Sequence, residues 1–257
     1  MKISIVGAGN VGRTLGRLAI EAGHQIEDVV CRSRASARGA VKFIGSGRAA
    51  SESQVRLAPA DLLLISTPDD QIVKAMELIL RDASFVGRPS VLHTSGAISG
   101  EILAPLRGFG MSVGSCHPLQ TFQSPARAVE SLKSSYFCIE GDLKACRAAR
   151  RFVNDIGARY FEVPGDLKGL YHAGAVLASG GIVTLLSFSI EVLSQCGLTE
   201  SEARKVLLPL VEGTLANIGA GGPARALTGP VRRGDAGTVE RNLQALSAAN
   251  RSAADLY

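Results

Sequence analysis

Residues 2–12 read KISIVGAGNVG, a short apolar run followed at once by three spaced glycines. The apolar run is typical of a buried strand, and the largely apolar segment from Thr14 to Ala22 predicts a helix after it. In this order Gly7 permits a tight turn, Gly9 lets the backbone approach a pyrophosphate, and Gly12 lets the helix pack closely on the strand. The alternative is an ordinary glycine turn. We favour a dinucleotide-binding loop, because the free N–H groups of a helix N-terminus attract phosphate. Its predicted cofactor contacts are Gly7, Gly9, Asn10, Val11 and Gly12.

Strand-like and helix-like segments alternate through the first two-thirds of the chain. Several of the strand-like segments are near-continuous apolar runs, as expected for parallel strands that are covered on both faces. This βαβα rhythm predicts an α/β fold, a Rossmann doubly wound parallel sheet, over residues 1–163. The predicted strands are 2–6, 25–31, 62–67, 90–94, 112–115, 136–140 and 160–163. The predicted helices are 11–22, 71–83, 101–106 and 143–156.

The pattern changes after Pro164-Gly165, where strand signals end. Residues 164–257 are predicted to form an all-α domain for substrate binding and dimerisation. We expect one long helix from Leu167 to about Cys196 that ends at Gly197. The remaining expected elements are a helix over 200–218 with Thr199 as its N-cap, a Gly/Pro-rich stretch over 219–237, and a last helix over 238–256.

The long helix has no charged side chain between Gly169 and Ile190, so a membrane span is one interpretation of it. It also contains four glycines and the polar residues His172 and Ser179, and it lies in mid-chain. We expect a helix buried in a bundle or a subunit interface instead. Its length of about 45 Å exceeds what three short helices of one chain would cover. The prediction is therefore a homodimer centred on this helix, without membrane insertion.

Composition narrows the class of protein. The 257 residues are 46% hydrophobic and 20% charged, with a net charge of +5 that is scattered along the chain and only 5% aromatic residues. These values argue against a nucleic-acid partner and suit an anionic cofactor or substrate. The five cysteines are dispersed, so we expect neither a disulfide framework nor a metal site. Without a signal-peptide pattern, the expected location is cytoplasmic.

The end of the second predicted strand indicates which dinucleotide is bound. NAD-preferring domains usually have an acidic residue there for the ribose hydroxyls. This chain has Cys31, and Arg32, Ser33 and Arg34 follow it. Two guanidinium groups and a hydroxyl suit a 2′-phosphate, so NADP (NADPH) is the predicted cofactor. A solvated basic loop is the alternative.

Candidate active-site residues follow the later strands, because ligands of such sheets bind at the carboxyl ends of the strands. Thr67 and Pro68 are expected beside the cofactor. Ser95 and Gly96 offer a hydroxyl and a backbone N–H to a substrate carboxylate. His117 is a candidate acid, base or substrate donor, and His93 ends the strand before it. Plain loop structure is the alternative for each.

The start of the long helix has a second group of candidates. Lys168 and His172 are four residues apart and share a helix face, and Ser179 extends the same face. A lysine beside another cation has a lowered pKa, which suits proton donation to a carbonyl that is reduced by hydride. We predict catalytic roles for Lys168, His172 and His117. Ser95, Gly96, Ser179, Arg233 and Asp235 are the predicted substrate-binding residues.

Six short segments together resemble one family. They are GxGxxG at 7–12, TPD at 67–69, HTSG at 93–96, HPLQTF at 117–122, KGLYHA at 168–173 and GPVRRGD at 229–235. The chain resembles bacterial proteins that join a Rossmann-like dinucleotide-binding domain to a helical domain of unknown function. Their relatives are pyrroline-5-carboxylate reductase, the deazaflavin-dependent NADP oxidoreductases and the β-hydroxyacid dehydrogenases. The resemblance implies a dimerising helical domain like that of 6-phosphogluconate dehydrogenase.

The same resemblance assigns Lys168 to the catalytic lysine of the β-hydroxyacid dehydrogenases. His172 and Gly180 occupy positions where relatives have Asn. The leading hypothesis is an NADP(H)-dependent reductase of a small anionic oxo acid or imine, with ketopantoate as a named candidate. The alternative is a nucleotide-binding sensor or interaction protein without catalysis. Deazaflavin-linked hydride transfer is a third and weaker hypothesis, because it needs room for a second large cofactor.

Overall fold

The structure is a computed structural model that describes residues 1–53, 56–83 and 87–257. The chain divides into two compact units, Met1–Ala175 and Val176–Tyr257. In the described part of the chain, the first unit contains an eight-stranded sheet of order 3-2-1-4-5-6-7-8. Its strands are β1 (Lys2–Val6), β2 (Gln25–Cys31), β3 (Arg48–Ser51), β4 (Leu62–Ile65), β5 (Ser90–His93), β6 (Ser112–Leu119), β7 (Tyr136–Gly141) and β8 (Arg159–Glu162).

The helices of the first unit cover both faces of this sheet, as the predicted doubly wound fold requires. One face packs under α1 (Asn10–Glu21), α2 (Arg34–Ile44) and α5 (Leu143–Asp155), with Leu15, Ile44 and Phe152 buried there. The other face packs under α3 (Ile72–Arg81) and a 3-10 helix over Gly100–Phe109. Full burial of one such large apolar side chain contributes about 1.5–3 kcal/mol. The predicted α/β Rossmann class is confirmed.

One strand pair departs from the predicted parallel sheet. β6 continues to Leu119 and pairs antiparallel with β7, with Leu119 opposite Tyr136. The connection between them contains α4 (Pro125–Leu132), which packs on α1. This connection starts and ends at the same end of the sheet, so the returning strand runs in the opposite direction. The expectation of a wholly parallel sheet was therefore wrong at this pair.

The segment between β2 and β4 contains a helix and a strand that the sequence pattern did not indicate. Ser33 caps α2 by accepting a hydrogen bond from the N–H of Ser36, and Gly45 ends the helix at φ +98°. β3 then pairs in parallel with β2. Charged residues interrupt the apolar spacing in both elements, which explains why periodicity alone did not reveal them.

The second unit is helical in its described residues. The long helix α6 (Lys168–Gln195) matches the predicted one closely, and Thr199 forms the predicted N-cap of α7 (Glu200–Gly221). The Gly/Pro-rich stretch 219–237 contains two short helices, α8 (Pro223–Ala226) and α9 (Gly229–Arg233). The predicted last helix is divided at Asn250 into α10 (Ala236–Ala249) and α11 (Arg251–Leu256), because the Asn250 side chain accepts a hydrogen bond from Ala253 N and caps a new helix.

The long helix α6 belongs to both units, because the division falls at Ala175. Its first two turns pack with the sheet, whereas a boundary after residue 163 is the sequence-based prediction. The segment Gly165–Gln195 has the length and apolar composition to cross a membrane, and none of its most apolar window is buried within one chain. A single chain thus leaves this helix largely uncovered.

Candidate active site

The glycine loop after β1 forms the tight turn that its sequence predicts. Gly7 has φ +89° and donates its N–H to Val30 O at 2.8 Å. A Cβ at Gly7 would lie 2.5 Å from Thr67 Cγ2, and one at Gly12 would collide with Ser66 Oγ. Gly9 faces open space instead. The first and third glycines therefore allow close packing, and the second leaves its backbone accessible to a ligand.

A cleft of about 530 Å³ lies against this loop. The Thr67 hydroxyl oxygen is buried beside it and has no hydrogen-bond partner in the described part of the chain. The cleft offers several groups that bind the phosphates of a dinucleotide. They are the exposed glycine backbone, the N-terminus of α1, the unpaired Thr67 hydroxyl and the guanidinium groups of Arg13 and Arg32. The residues present therefore fit a pyridine dinucleotide. Those lining the cleft are Gly7, Ala8, Gly9, Arg13, Cys31, Arg32, Ser36, Glu52, Ser66, Thr67, Pro68, Asp70 and Gln71.

The predicted 2′-phosphate residues differ in their placement. Arg32 lines the cleft, whereas Arg34 is exposed at the start of α2 and is not among the lining residues. The Ser33 hydroxyl caps α2 and donates to Ser36 Oγ at 2.9 Å. Ser36, which the sequence analysis did not select, lies at the cleft instead. Ser33 thus holds the N-terminal end of α2, which presents Ser36 to the cleft.

The sequence analysis missed three charged residues of this cleft, Arg13, Glu52 and Asp70. Arg13, one turn into α1, lines it and donates from Nε to Ala8 O at 3.2 Å. Glu52 follows β3 and also lines the cleft, so an acidic side chain is present there although the end of β2 has Cys31. Its carboxylate pairs with Lys74 Nζ at 2.8 Å, so its charge is partly neutralised. Glu52 could not be assigned to the cleft before β3 was known.

Hydrogen bonds connect the glycine loop to the start of α6 through the strand ends. Ser66 Oγ donates to Gly7 O at 2.8 Å. Three residues further on, Asp69 accepts a hydrogen bond from Ser95 Oγ at 2.9 Å. The Ser95 carbonyl in turn accepts one from Lys168 Nζ at 3.1 Å. Loops after β1, β4 and β5 are therefore held together with Lys168 in one network.

Lys168 is the charged centre of this network. Its side chain is only 1% exposed, and burial lowers its pKa from the usual lysine value. The Cys138 thiol and the Glu140 carboxylate oppose that decrease. The ammonium also lies 5.5 Å from the ring centroid of Tyr171. Burial, rather than the neighbouring cation that the sequence analysis invoked, thus lowers the pKa of Lys168, and one of its N–H groups is engaged by Ser95. Its catalytic role stays a prediction.

The Ser95 hydroxyl, which was predicted to bind substrate, already makes hydrogen bonds within the protein. It donates to Asp69 and accepts from the N–H groups of Ala97 and Ile98 at 3.2 and 3.1 Å. These bonds shape the loop after β5. The backbone of this loop, rather than the Ser95 side chain, is the part that remains for ligand contact. Substrate binding by Ser95 and Gly96 stays a prediction.

Two imidazoles lie against Gly96, and one of them is hydrogen bonded to a phenol. His117 Nδ1 and Tyr171 Oη are 2.7 Å apart, and the rings of His117 and His172 lie 5.6 Å apart and nearly perpendicular. A Cβ on Gly96 would collide with His172 and come within 2.9 Å of His117 Nε2. Burial, Lys168 and His172 lower the pKa of His117 to about 3, so this imidazole is neutral at pH 7.

Two further buried groups support the loops. His93 is 0% exposed and its Nδ1 accepts from Ser95 N at 3.2 Å, and burial lowers its pKa to about 4. Glu140 on β7 accepts from Gly100 N at 2.7 Å. Glu140 and Tyr171 were absent from the predicted site. Tyr171 lies between Lys168 and His172 in sequence, so its helix position was the available signal.

The three remaining predicted substrate residues belong to the second unit. Asp235 accepts a hydrogen bond from Thr238 N at 3.0 Å and caps α10. Arg233 is exposed at the end of α9, and Ser179 is exposed on α6. Their substrate-binding roles stay predictions.

Two family models match this chain. Residues 1–118 match the Rossmann-like domain, and residues 135–257 match a domain of unknown function (DUF2520). Together the two matches confirm the resemblance found in the motifs, a Rossmann-like domain followed by a helical domain of unknown function. Among the curated proteins, none matches.

Solved structures share the fold over almost the whole chain. Protein TM1727 from Thermotoga maritima is 26% identical, with a TM-score of 0.76 over 94% of this chain and 88% of that one. BF3122 from Bacteroides fragilis, assigned as an NADP oxidoreductase, is 23% identical, with a TM-score of 0.77 over 100% and 94%. An imine reductase from Streptomyces aurantiacus is 16% identical, with a TM-score of 0.69 over 99% and 92%. At such identities, these last two similarities show a common fold.

Proposed function

We propose that this chain is an NADP(H)-dependent oxidoreductase that reduces a small anionic oxo acid or imine. The residues that line the cleft at the glycine loop fit a pyridine dinucleotide as cofactor. The basic side chains of Arg13 and Arg32 favour its phosphorylated form, NADP(H). The shared fold of BF3122, assigned as an NADP oxidoreductase, and of the imine reductase supports the same class of reaction. Because a Rossmann fold serves many activities, the proposal depends on the side chains at the strand ends.

One observation carries this proposal. The network that begins at Gly7 and passes through Asp69 and Ser95 ends on Lys168, and His117 and His172 lie against Gly96 in the same loop. A buried cation and two imidazoles therefore share one edge of the sheet with the cofactor cleft. An anionic substrate is attracted by the lysine, and its carbonyl or imine group can be hydrogen bonded by the histidines.

Reduction of a carbonyl or imine group requires a hydride and a proton. When bound, NADPH supplies a hydride to the carbon of a C=O or C=N bond and is oxidised to NADP⁺. The heteroatom takes up a proton as its double bond to carbon becomes single. Lys168 is suited to give that proton, because burial lowers its pKa and an ammonium has N–H groups beyond the one held by Ser95. Solvent then returns the proton to the amine.

We also propose a cytoplasmic homodimer formed through α6. Large apolar side chains of α6 and α7 are exposed in one chain, among them Leu177 at 75% and Leu210 at 67%. An apolar groove of about 280 Å³ lies in the second unit between Leu185, Leu207 and Leu246. A second copy of the same surface would bury these groups, which favours association over exposure to water. A membrane or nucleic-acid partner is not part of the proposal.

The test is a screen for NADPH oxidation at 340 nm against ketopantoate, other small oxo acids and cyclic imines. We expect turnover with at least one of them, and a loss of about 100-fold or more in Lys168→Ala with NADPH affinity retained. Binding of NADPH without turnover on any of these substrates would favour a nucleotide-binding sensor. That alternative is motivated by His172 and Gly180, which stand where relatives have Asn.

A further inference from the structure

The contact between Tyr171 and His117 determines which ring nitrogen of His117 carries the hydrogen. Their hydroxyl oxygen and Nδ1 atoms lie 2.7 Å apart, a short hydrogen bond between two partly buried side chains. His117 is at the end region of β6 and Tyr171 is in the first turn of α6. Two elements distant in sequence are therefore joined by this bond.

The direction of the bond follows from the chemistry of the two groups. A neutral imidazole nitrogen is a better acceptor than a phenol oxygen, and the phenol hydrogen is the more acidic donor. Burial raises the pKa of Tyr171, and the neighbouring Cys138 thiol raises it further. The phenol therefore keeps its hydrogen at neutral pH. Tyr171 Oη thus donates and His117 Nδ1 accepts.

This direction fixes the other ring nitrogen. An imidazole that accepts at Nδ1 and is neutral has its hydrogen on Nε2. His117 Nε2 makes no hydrogen bond to any residue in the described ranges and lies against the backbone of Gly96, beside His172. Although it has no partner among the described residues, this nitrogen is not fully buried. The Nε2–H group is therefore available to a ligand.

We propose that Tyr171 is a positioning residue that holds His117 as the Nε2–H tautomer, so that His117 donates a hydrogen bond to the carbonyl oxygen or imine nitrogen of the substrate. The tautomer stands on the structure alone, and the donation to substrate rests on the proposed function. In this arrangement His117 polarises the reacting double bond and remains neutral. The proton that is transferred comes from Lys168.

The groups that face His117 also determine the pKa of its imidazole. Lys168, Tyr171 and His172 approach from α6, His93 lies on the neighbouring β5, and Cys138 is opposite on β7. Tyr171 favours the neutral imidazole, because protonation of Nδ1 would break the bond it accepts. Removal of the hydroxyl should therefore allow His117 to protonate at a higher pH.

The test is ¹H–¹⁵N correlation spectroscopy of the histidine rings in the full-length wild type, Tyr171→Phe and Tyr136→Phe. Tyr136→Phe is the matched control, because its hydroxyl bonds to Arg159 at 3.2 Å and not to a histidine. In the wild type, the His117 signal should show a bare Nδ1 and a protonated Nε2. In Tyr171→Phe we expect a mixture of tautomers and a titration of His117 raised by about one pH unit. Tyr136→Phe should match the wild type.

Two results would overturn the proposal. One is a wild-type His117 with its hydrogen on Nδ1, which requires no variant and so does not depend on the folding of Tyr171→Phe. The other is an unchanged tautomer and titration in a folded Tyr171→Phe. If a substrate has been found, the same variant should lower kcat about tenfold with little change in NADPH affinity. A failure to bind NADPH would refute the proposed function and leave the spectroscopic result valid.

Discussion

At the scale of single residues, a few side chains decide the specificity of the candidate site. Arg32 lines the cleft without an ion-pair partner in the described part of the chain, whereas Glu52 in the same cleft is paired with Lys74. Near these residues, a 2′-phosphate would therefore meet the Arg32 guanidinium and the partly neutralised Glu52 carboxylate. Ser33 acts indirectly, through the cap of α2.

Arg32→Glu is expected to weaken NADPH binding by about tenfold or more and to change NADH binding little, because only NADPH has the 2′-phosphate. Isothermal titration calorimetry with both nucleotides measures this. Arg34→Glu is the matched control, since Arg34 is exposed and does not line the cleft. An equal loss for both nucleotides in Arg32→Glu would refute the assignment.

Gly96→Ala should disturb the candidate site strongly. The added methyl group would collide with His172 and crowd His117, so both imidazoles must move. We expect a loss of activity and a destabilisation of about 1–3 kcal/mol by chemical denaturation. Gly174→Ala is the control, because a methyl group there meets open space in a helix and should leave stability equal or slightly higher. Wild-type stability and turnover in Gly96→Ala would count against this account of the loop.

At the scale of elements, the end of β5 has a buried histidine that makes stability depend on pH. The pKa of His93 is lowered to about 4, whereas a histidine in an unfolded chain titrates near 6.5. Between these values the unfolded chain binds more protons than the folded one, so the free energy of unfolding decreases as pH falls from about 6.5 towards 4. Urea denaturation at pH 7, 6 and 5 should show this decrease. His93→Asn should reduce its slope, and an unchanged slope would contradict the assignment.

Elements with regular apolar patterning were predictable from the sequence, and others were not. β1, α1, α3 and α6 combine unbroken apolar spacing with glycine or proline boundaries, so local chemistry specifies them. The helix α2 and the edge strand β3 are rich in charge and stabilised by tertiary packing. The reversal of β7 depends on where α4 packs, which is a long-range contact that no local pattern encodes.

The candidate site was predictable to a similar extent. Lys168, His117 and His172 could be selected because strand ends and helix faces follow from spacing. Ser95 was selected for its hydroxyl, but the structure uses that hydroxyl to shape the loop. Tyr171 and Glu140 were missed, because their importance lies in partners that are more than 35 residues away.

At the scale of the whole molecule, the proposed dimer would cover the exposed apolar surface of the second unit. We expect a dimer by analytical ultracentrifugation at micromolar concentration without detergent. Leu177→Glu, on the exposed face of α6, should shift it towards monomer, whereas Leu143→Glu on α5 should not, although Leu143 is also well exposed. A monodisperse wild-type monomer, or a protein that stays soluble only in detergent, would refute the proposed dimer.

The central claim concerns the glycine loop and the groups around it: they bind a phosphorylated pyridine dinucleotide beside Lys168 and His117. Calorimetric titration of the purified full-length chain with NADPH tests it most directly. The account predicts saturable binding at one site per chain, tighter for NADPH than for NADH. An absence of measurable binding for every pyridine nucleotide would contradict it.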